Sequence, residues 1–303
     1  MCAETAAKTD PWTISRLLTW TRGHFEQHSV DEPRLAAEIL LAHALGCERI
    51  RLYTRFDEVP RPDQLDVYRD LVRRAAKHEP IAYLVASKEF YSLSFEVSPA
   101  VLIPRAETEI LVEKAIDYCR ARYGADGVVN LLDVGTGSGC IAIALLKHLP
   151  AARVVATDVS AEALELVRRN AERHKVSERL QLVEADRLNF DPEVKPDEGF
   201  AVLVSNPPYV AAEEMAQLDA NVRDYEPATA LTDGADGLSF FRSIAESASR
   251  WLQPDGAVFV EIGDGQADAV RASFGETGRW AHAGTWRDTT GPHERVLHFR
   301  LEA

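Results

Sequence analysis

The sequence is poor in sulfur and in positive charge, and it contains no long apolar run. Of 303 residues only four are cysteine and two methionine. Cys2, Cys47, Cys119 and Cys140 stand far apart, with no Cys-x-x-Cys pair and no histidines at ligand spacing, so neither a disulfide framework nor a metal site is expected. No apolar stretch approaches the roughly 18 residues of a membrane-crossing helix, and no charged-then-apolar export pattern opens the chain. Free thiols suit a reducing compartment. These absences predict a cytoplasmic protein with no membrane partner. Lys and Arg number 34 against 48 Asp and Glu, a formal net charge of −14. The first 90 residues are nearly balanced, with 13 basic and 14 acidic side chains, and the remainder carries 21 and 34. A protein that grips nucleic acid presents cations to phosphates, so the balance favours a protein partner and predicts no direct nucleic-acid contact.

What is present suffices for sizeable cores: 46% of the chain is hydrophobic, and its length suggests two domains. The chain up to Pro80 reads as helices. Leu35, Ala36, Ile39, Leu40, Ala44 and Leu45 recur at helical spacing after Pro33, and Gly46 is placed to end that helix; 63–77 reads as another. Tyr91, Leu93, Phe95 and Val97 share one parity, which predicts a strand or short hairpin. We expect a helical domain over 1–88, a hairpin and linker over 89–110, and an α/β domain over 111–303. The helical domain presents a surface to a partner or merely caps its neighbour. Beyond it, a helix enters from 103–123. Strands are expected at 130–134, 153–157, 180–185, 201–205, 257–262, 280–285 and 296–301, with helices at 140–149, from near 161, at 237–252 and at 266–274. Such alternation predicts a doubly wound, mostly parallel sheet.

Asn130-Leu131-Leu132-Asp133-Val134 runs into Gly135-Thr136-Gly137-Ser138-Gly139 and then an apolar helix from Cys140. Glycines here let the backbone approach a ligand at the carboxyl end of a parallel strand. A dinucleotide fingerprint wants a glycine at the sixth place, where this chain has Cys140, so the spacing favours a nucleoside without pyrophosphate, such as S-adenosylmethionine. Asp158, closing the next strand, either accepts the ribose hydroxyls or caps the following helix. Asp186, after strand 180–185, faces an adenine amino group or makes a loop hydrogen bond. Asp133 meets the amino group of the ligand or N–H groups of the turn.

Directly after the apolar run Ala201-Val202-Leu203-Val204 comes Asn206-Pro207-Pro208-Tyr209. The prolines fix their own φ and restrict the residues before them, so the carbonyls of Asn206 and Pro207 are rigid. Two rigid acceptors can hold an NH₂ group whose delocalised lone pair must be aimed at an electrophile, with Tyr209 walling the plane. Asn206 and Pro207 are therefore the candidate catalytic acceptors, with Tyr209, and Pro208 joins them in binding the substrate. Taken alone, the same tetrapeptide is a Pro-rich turn closing a strand.

The ordered set of Leu102-Ile103-Pro104-Arg105-Ala106-Glu107-Thr108-Glu109, the glycine turn, Asn206-Pro207-Pro208-Tyr209 and Val222-Arg223-Asp224-Tyr225-Glu226-Pro227 resembles the PrmC/HemK family. The resemblance extends from about Trp12 to the C-terminus. It implies the class I methyltransferase fold, α/β with a seven-stranded sheet carrying one antiparallel strand, beside a small N-terminal helical domain. It also implies S-adenosylmethionine as methyl donor and N(5)-methylation of the glutamine in the Gly-Gly-Gln motif of class 1 peptide chain release factors by a monomer. On that basis Gly135, Thr136, Gly137, Ser138, Gly139, Asp158, Asp186, Arg187 and Asn206 are expected to bind the cofactor. The chain has Ala106 where the family usually has proline, Ala86 where it usually has glycine, and Arg187 where a tryptophan often lies near the adenine; an arginine plane can stack there instead. Arg105, Glu107 and Glu109 order the substrate pocket or form a helix-start ion network, and the 224–226 loop closes over the peptide or is a surface turn. His293 and His298 are expected to be structural. The rivals are a ribosomal-protein glutamine methyltransferase, an adenine-N(6) nucleic-acid methyltransferase and a non-catalytic nucleoside-binding scaffold.

Overall fold

The computed structural model describes residues 11–288 and 291–302; Cys2 lies outside the described residues. The chain divides into two units, Met1–Ala86 and Ser87–Ala303, so the expected linker 89–110 falls within the second.

The first unit is built on three helices, Ile14–Gln27, Pro33–Leu45 and Pro62–Ala75, with single turns Arg49–Leu52 and Ile81–Leu84. Thr13 caps the first by accepting from the Arg16 N–H at 3.3 Å, and proline opens the other two, where its missing N–H costs nothing. Gly46 ends the second helix at φ 64°, the left-handed position that glycine takes without strain. Phe25, Leu40, Leu41 and Leu52 form a fully buried core, and the Tyr68 hydroxyl donates to Thr21 Oγ1 at 2.8 Å inside it.

The second unit opens with a hairpin, β1 (Ser87–Phe90) and β2 (Leu93–Glu96), turned by Tyr91 and Ser92 at positive φ. A helix follows at Thr108–Tyr123, later than the sequence suggests. Then come β3 (Asn130–Val134), β4 (Arg153–Asp158), β5 (Leu180–Glu184), β6 (Phe200–Ser205), β7 (Leu252–Glu261), β8 (Trp280–Arg287) and β9 (Glu294–Leu301) in one sheet of order β5-β4-β3-β6-β7-β9-β8. β9 runs antiparallel to both its neighbours; the other pairings are parallel. The expected helix 237–252 is shorter, Ser239–Ser247, because Leu252 already pairs with Phe200 as the start of β7. Successive residues of β3 face opposite layers, Leu131 into one core and Leu132 and Val134 into the other, as a sheet covered on both faces requires. Among the described residues no helix is long and apolar enough to cross a membrane.

One buried amide ties the layers together beside the glycine turn. Asn170, fully buried on the helix Ala161–His174, accepts from the Glu96 N–H at 2.8 Å and donates to the carbonyls of Glu96 and Ser138, each at 3.0 Å. Next to it Gly139 has φ 79°, and a Cβ there would lie 2.7 Å from Val167 Cγ1 of the same helix. Asn170→Leu strips three backbone groups of their partner at once and should cost about 3 kcal/mol or more. Urea unfolding measures the loss, and an unchanged midpoint would contradict this account.

Candidate active site

The carboxyl ends of β3, β4, β5 and β6 open into a solvent-connected cleft. The glycine turn forms its floor. Gly135, Gly137 and Gly139 all have positive φ, and above Gly137 a Cβ would meet nothing within 4 Å. The N–H groups of Gly135 and Thr136 both bond the Thr157 carbonyl at 2.9 Å, which fastens the turn to the end of β4.

Asp158 occupies the wall beside this floor. Its Oδ2 accepts from the Gly137 N–H at 2.8 Å and its Oδ1 from the Ser160 N–H at 3.0 Å. The helix Ala161–His174 is capped by Ser160 rather than by Asp158, since Ser160 Oγ accepts from the Ala163 N–H at 3.2 Å. An ionised carboxylate accepts about four hydrogen bonds, so Asp158 keeps capacity for ligand hydroxyls after making these two. Asp186 also lines the cleft with an exposed carboxylate, 3.8 Å from Arg187 Nε. Arg187 itself is held at φ 57°, its guanidinium 5.2 Å from the Phe240 ring centre and 3.2 Å from Ser239 Oγ. This pairing presents a flat cationic group and an aromatic ring to the cleft, two surfaces suited to a purine.

Asn206 leaves the end of β6 into the same cleft. The Ser205 hydroxyl beneath it donates to the Val134 carbonyl at 2.7 Å, which locks β6 to β3. The Asn206 Nδ2 donates to Thr108 Oγ1 at 3.1 Å, so its Oδ1 is the atom left to accept. Of the other expected site residues, Gly135, Thr136, Gly137, Ser138 and Pro208 line the cleft, while Gly139, Pro207 and Tyr209 are not among its lining. Gly139 faces Val167, and Pro207 is buried. Tyr209 packs against the core on the β6–β7 side, and its hydroxyl is pushed up to about 12 chiefly by burial. Its carbonyl accepts from Gln266 Nε2 at 2.8 Å, and the Cβ that Gly237 lacks would sit 2.2 Å from that same oxygen.

Arg105 lines the cleft and pairs with the buried Glu226 at 2.5 Å, while the other Glu226 oxygen accepts from the Ile103 N–H at 3.1 Å. Glu109 instead accepts from the Tyr91 N–H in the hairpin turn at 2.7 Å. Arg105 and Glu109 therefore each bond a distant segment, Arg105 the Glu226 carboxylate and Glu109 the hairpin turn. His298 is buried against Phe259 and His293 bonds Asp264, both away from the cleft.

Residues 16–85 match the PrmC N-terminal domain and residues 123–223 the methyltransferase small domain. The release factor glutamine methyltransferase of Rhodopirellula baltica is 42% identical over 97% of this chain and 98% of its own length; that of Geobacter sulfurreducens is 45% identical over 89% and 91%. The chain belongs to the release factor glutamine methyltransferase family. A solved methyltransferase from Pyrococcus furiosus, 20% identical, has the same fold, with a TM-score of 0.50 over 71% of this chain and 92% of that one. Methyltransferases of this family take their methyl group from S-adenosylmethionine.

The residues present fit that donor. The cleft has a floor without side chains at Gly137, a carboxylate with spare acceptor capacity at Asp158, and a buried carboxyl, Asp133, whose Oδ2 accepts from Thr136 Oγ1 at 2.7 Å while Oδ1 has no partner among the described residues. One polar residue that lines the cleft and bonds Asn206 escaped the sequence reading, Thr108. Glu261, an acid inside the apolar strand run Ala257-Val258-Phe259-Val260-Glu261-Ile262, is buried at the end of β7 and is not part of the cleft lining.

Asp133 and Glu261 are both pushed up to about 7, in each case chiefly by burial. Their ordinary values are 3.8 and 4.5, so between those values and about 7 the folded chain holds protons that the unfolded chain has released. Their stabilising effect is complete below the unfolded values and is lost as pH rises through about 7. The thermal midpoint of the ligand-free protein should therefore fall between about pH 5 and about pH 8, and Asp133→Asn should flatten that fall. Scanning calorimetry of the two proteins checks this; an equally steep fall in the variant would show that Asp133 does not titrate in this window.

Proposed function

We infer that the protein transfers the methyl group of S-adenosylmethionine to the side-chain amide nitrogen of the glutamine in the Gly-Gly-Gln motif of class 1 peptide chain release factors. Relatives that match nearly end to end are named release factor glutamine methyltransferases, which supports the release factor as substrate class. The observation that carries the reading is the bond from Asn206 Nδ2 to Thr108 Oγ1, which leaves Oδ1 as a free acceptor on a residue that lines a cleft suited to a nucleoside.

Bound S-adenosylmethionine supplies a methyl group already activated on a sulfonium, and alignment of the two reactants is worth roughly 7–11 kcal/mol of barrier. Gly135, Thr136, Gly137 and Ser138 let the ligand lie against the backbone, with Gly139 setting the close packing of the turn on its helix. Asp158 accepts the ribose hydroxyls, Asp186 the adenine amino group, and Arg187 lies against the ring. Asn206 Oδ1 and the Pro207 carbonyl accept the two amide hydrogens and aim the nitrogen lone pair. Pro208 stiffens the turn, and Tyr209, its main chain pinned by Gln266, flanks the amide from outside the cofactor cleft. No strong base is needed, because the amide proton made acidic by methylation can leave to water.

Release factor, as a protein substrate, suits a chain of net charge −14 better than a phosphate backbone does. We assign the helical unit the task of engaging that substrate, and the protein a monomeric, cytoplasmic existence with no direct nucleic-acid contact. Labelled S-adenosylmethionine offered with a class 1 release factor, with ribosomal proteins and with DNA should mark the release factor alone. Asn206→Ala should lower turnover by about 10²–10³-fold, the range for loss of one aligned hydrogen-bonding group in a reacting site, with far less effect on cofactor affinity by calorimetry. Wild-type turnover in that variant would overturn the assignment.

A further inference from the structure

The helical unit carries a groove lined wholly by its own residues. Its helices Ile14–Gln27 and Pro62–Ala75 both pack against Pro33–Leu45, and between the two an open trough remains. Leu17, Tyr68 and Val72 form the floor, each under 10% exposed, and the bond from the Tyr68 hydroxyl to Thr21 Oγ1 closes it beneath. One wall is a run of rings. Trp20 stacks on His24 with 5.0 Å between centres, His24 meets His28 at 4.2 Å, and Trp12 stands edge-on to Trp20 at 6.2 Å. Trp20 is nevertheless 51% exposed. An indole half open to water forgoes the burial that large rings usually obtain, and a contiguous patch of such rings marks an interaction surface.

The opposite wall is cationic. Arg69, Arg73 and Lys77 line the groove, and no acidic side chain does. Arg69 pairs with Asp66 and Arg73 with Asp70 on the same helix, but these are exposed contacts three residues apart, worth little in water. A guanidinium has five N–H donors, so donors remain for a partner's carboxylate. The groove is also linear. Leu17, Trp20, His24 and His28 fall along one face of the first helix and its cap, and Leu65, Tyr68, Val72 and Ala76 along one face of the other. Each row is about 16 Å, or three turns, long. A trough between two helices takes a third, whose ridge of side chains seats between theirs.

We propose that this groove docks an amphipathic helix of the release factor, about three turns long, with an apolar stripe seated on Trp20 and the floor and with carboxylates along the edge that meets Arg69, Arg73 and Lys77. The proposal deepens the assignment of substrate engagement to the helical unit and rests on it. Methyl transfer stays in the cleft at the sheet. A contact made equally in the ground state and the transition state lowers KM and leaves kcat alone, and this groove supplies such a contact.

The test uses the full chain with saturating S-adenosylmethionine and two substrates, an intact class 1 release factor and a short peptide carrying only the Gly-Gly-Gln segment. Trp20→Ala should raise KM for the release factor about 10- to 100-fold, the range for loss of an aromatic anchor, with kcat within about twofold; Trp20→Phe should recover most of the loss. Combined Arg69→Glu, Arg73→Glu and Lys77→Glu should raise KM similarly and flatten its dependence on salt. For the peptide, kcat/KM should stay within about twofold of the wild type in every one of these variants, and cofactor affinity by calorimetry should not move. An unchanged KM in Trp20→Ala and in the charge reversal, with the wild type active on the release factor, would overturn the docking assignment and leave the proposed function standing. A wild type that leaves the release factor unmethylated would sink the proposed function and the docking helix with it. A loss shared equally by the peptide, or one that follows cofactor affinity, would mark general damage to the fold and overturn the proposal. Self-association in sedimentation, or binding to phosphatidylglycerol vesicles, that Trp20→Ala abolishes while KM stays put would give the groove to a second copy or to a membrane surface, and would overturn it as well.

Discussion

The pairing of β3 with β6 sets Asp133 beside Val204, and just beyond that point each strand leaves the sheet, one as the glycine turn and the other as Asn206-Pro207-Pro208-Tyr209. The cofactor floor and the amide acceptor are thus neighbours because two buried strands share a register. A slip of one residue would turn every side chain of β6 to the opposite layer, and the wholly buried pattern of Phe200–Ser205 leaves no room for it. The Ser205 hydroxyl on the Val134 carbonyl fixes the same register with a hydrogen bond. Chemistry at this end of the molecule is therefore positioned by sheet geometry before any loop contributes.

Around that register the protein buries an uncommon set of polar side chains: Asp133, Asn170, Glu226 and Glu261 all lie under 10% exposed. Asn170 and Glu226 are fully engaged and serve the fold, the first binding the hairpin and the glycine turn to one helix, the second joining the segment before Thr108 to the loop after Val222. Asp133 and Glu261 each keep one oxygen without a partner among the described residues. The contrast separates polarity saturated by the fold from polarity that the fold leaves unsatisfied, which at Asp133 lies beside the glycine turn.

Much of this was legible in the residues themselves. Period-two and period-3.6 patterns located the strands and most helices, because burial on two faces leaves that signature directly. The glycine turn and Asp158 could be placed since they follow strands in a fixed order. Long-range hydrogen bonds leave no such mark: Asn170 and Glu96 are 74 residues apart, and Arg105 and Glu226 are 121 apart. For the same reason Thr108 passed unnoticed inside a stretch whose charged members drew attention. Tyr209 illustrates a different limit. Adjacency to Asn206 suggests one pocket for both, and the structure adds what adjacency does not show: Tyr209 packs on the second core with its carbonyl held by Gln266, outside the lining of the glycine-turn cleft. Boundaries moved where pairing overrode propensity, as at Leu252.

The Glu226 carboxylate holds a backbone N–H from Ile103 with one oxygen and the Arg105 guanidinium with the other. Neither segment can move without the other, for a changed loop would leave Ile103 and Arg105 without their acceptor and a changed linker would strand a buried anion. The two stretches are constrained as one unit although more than a hundred positions separate them. Grafting either alone from a distant homologue would import half of a clasp.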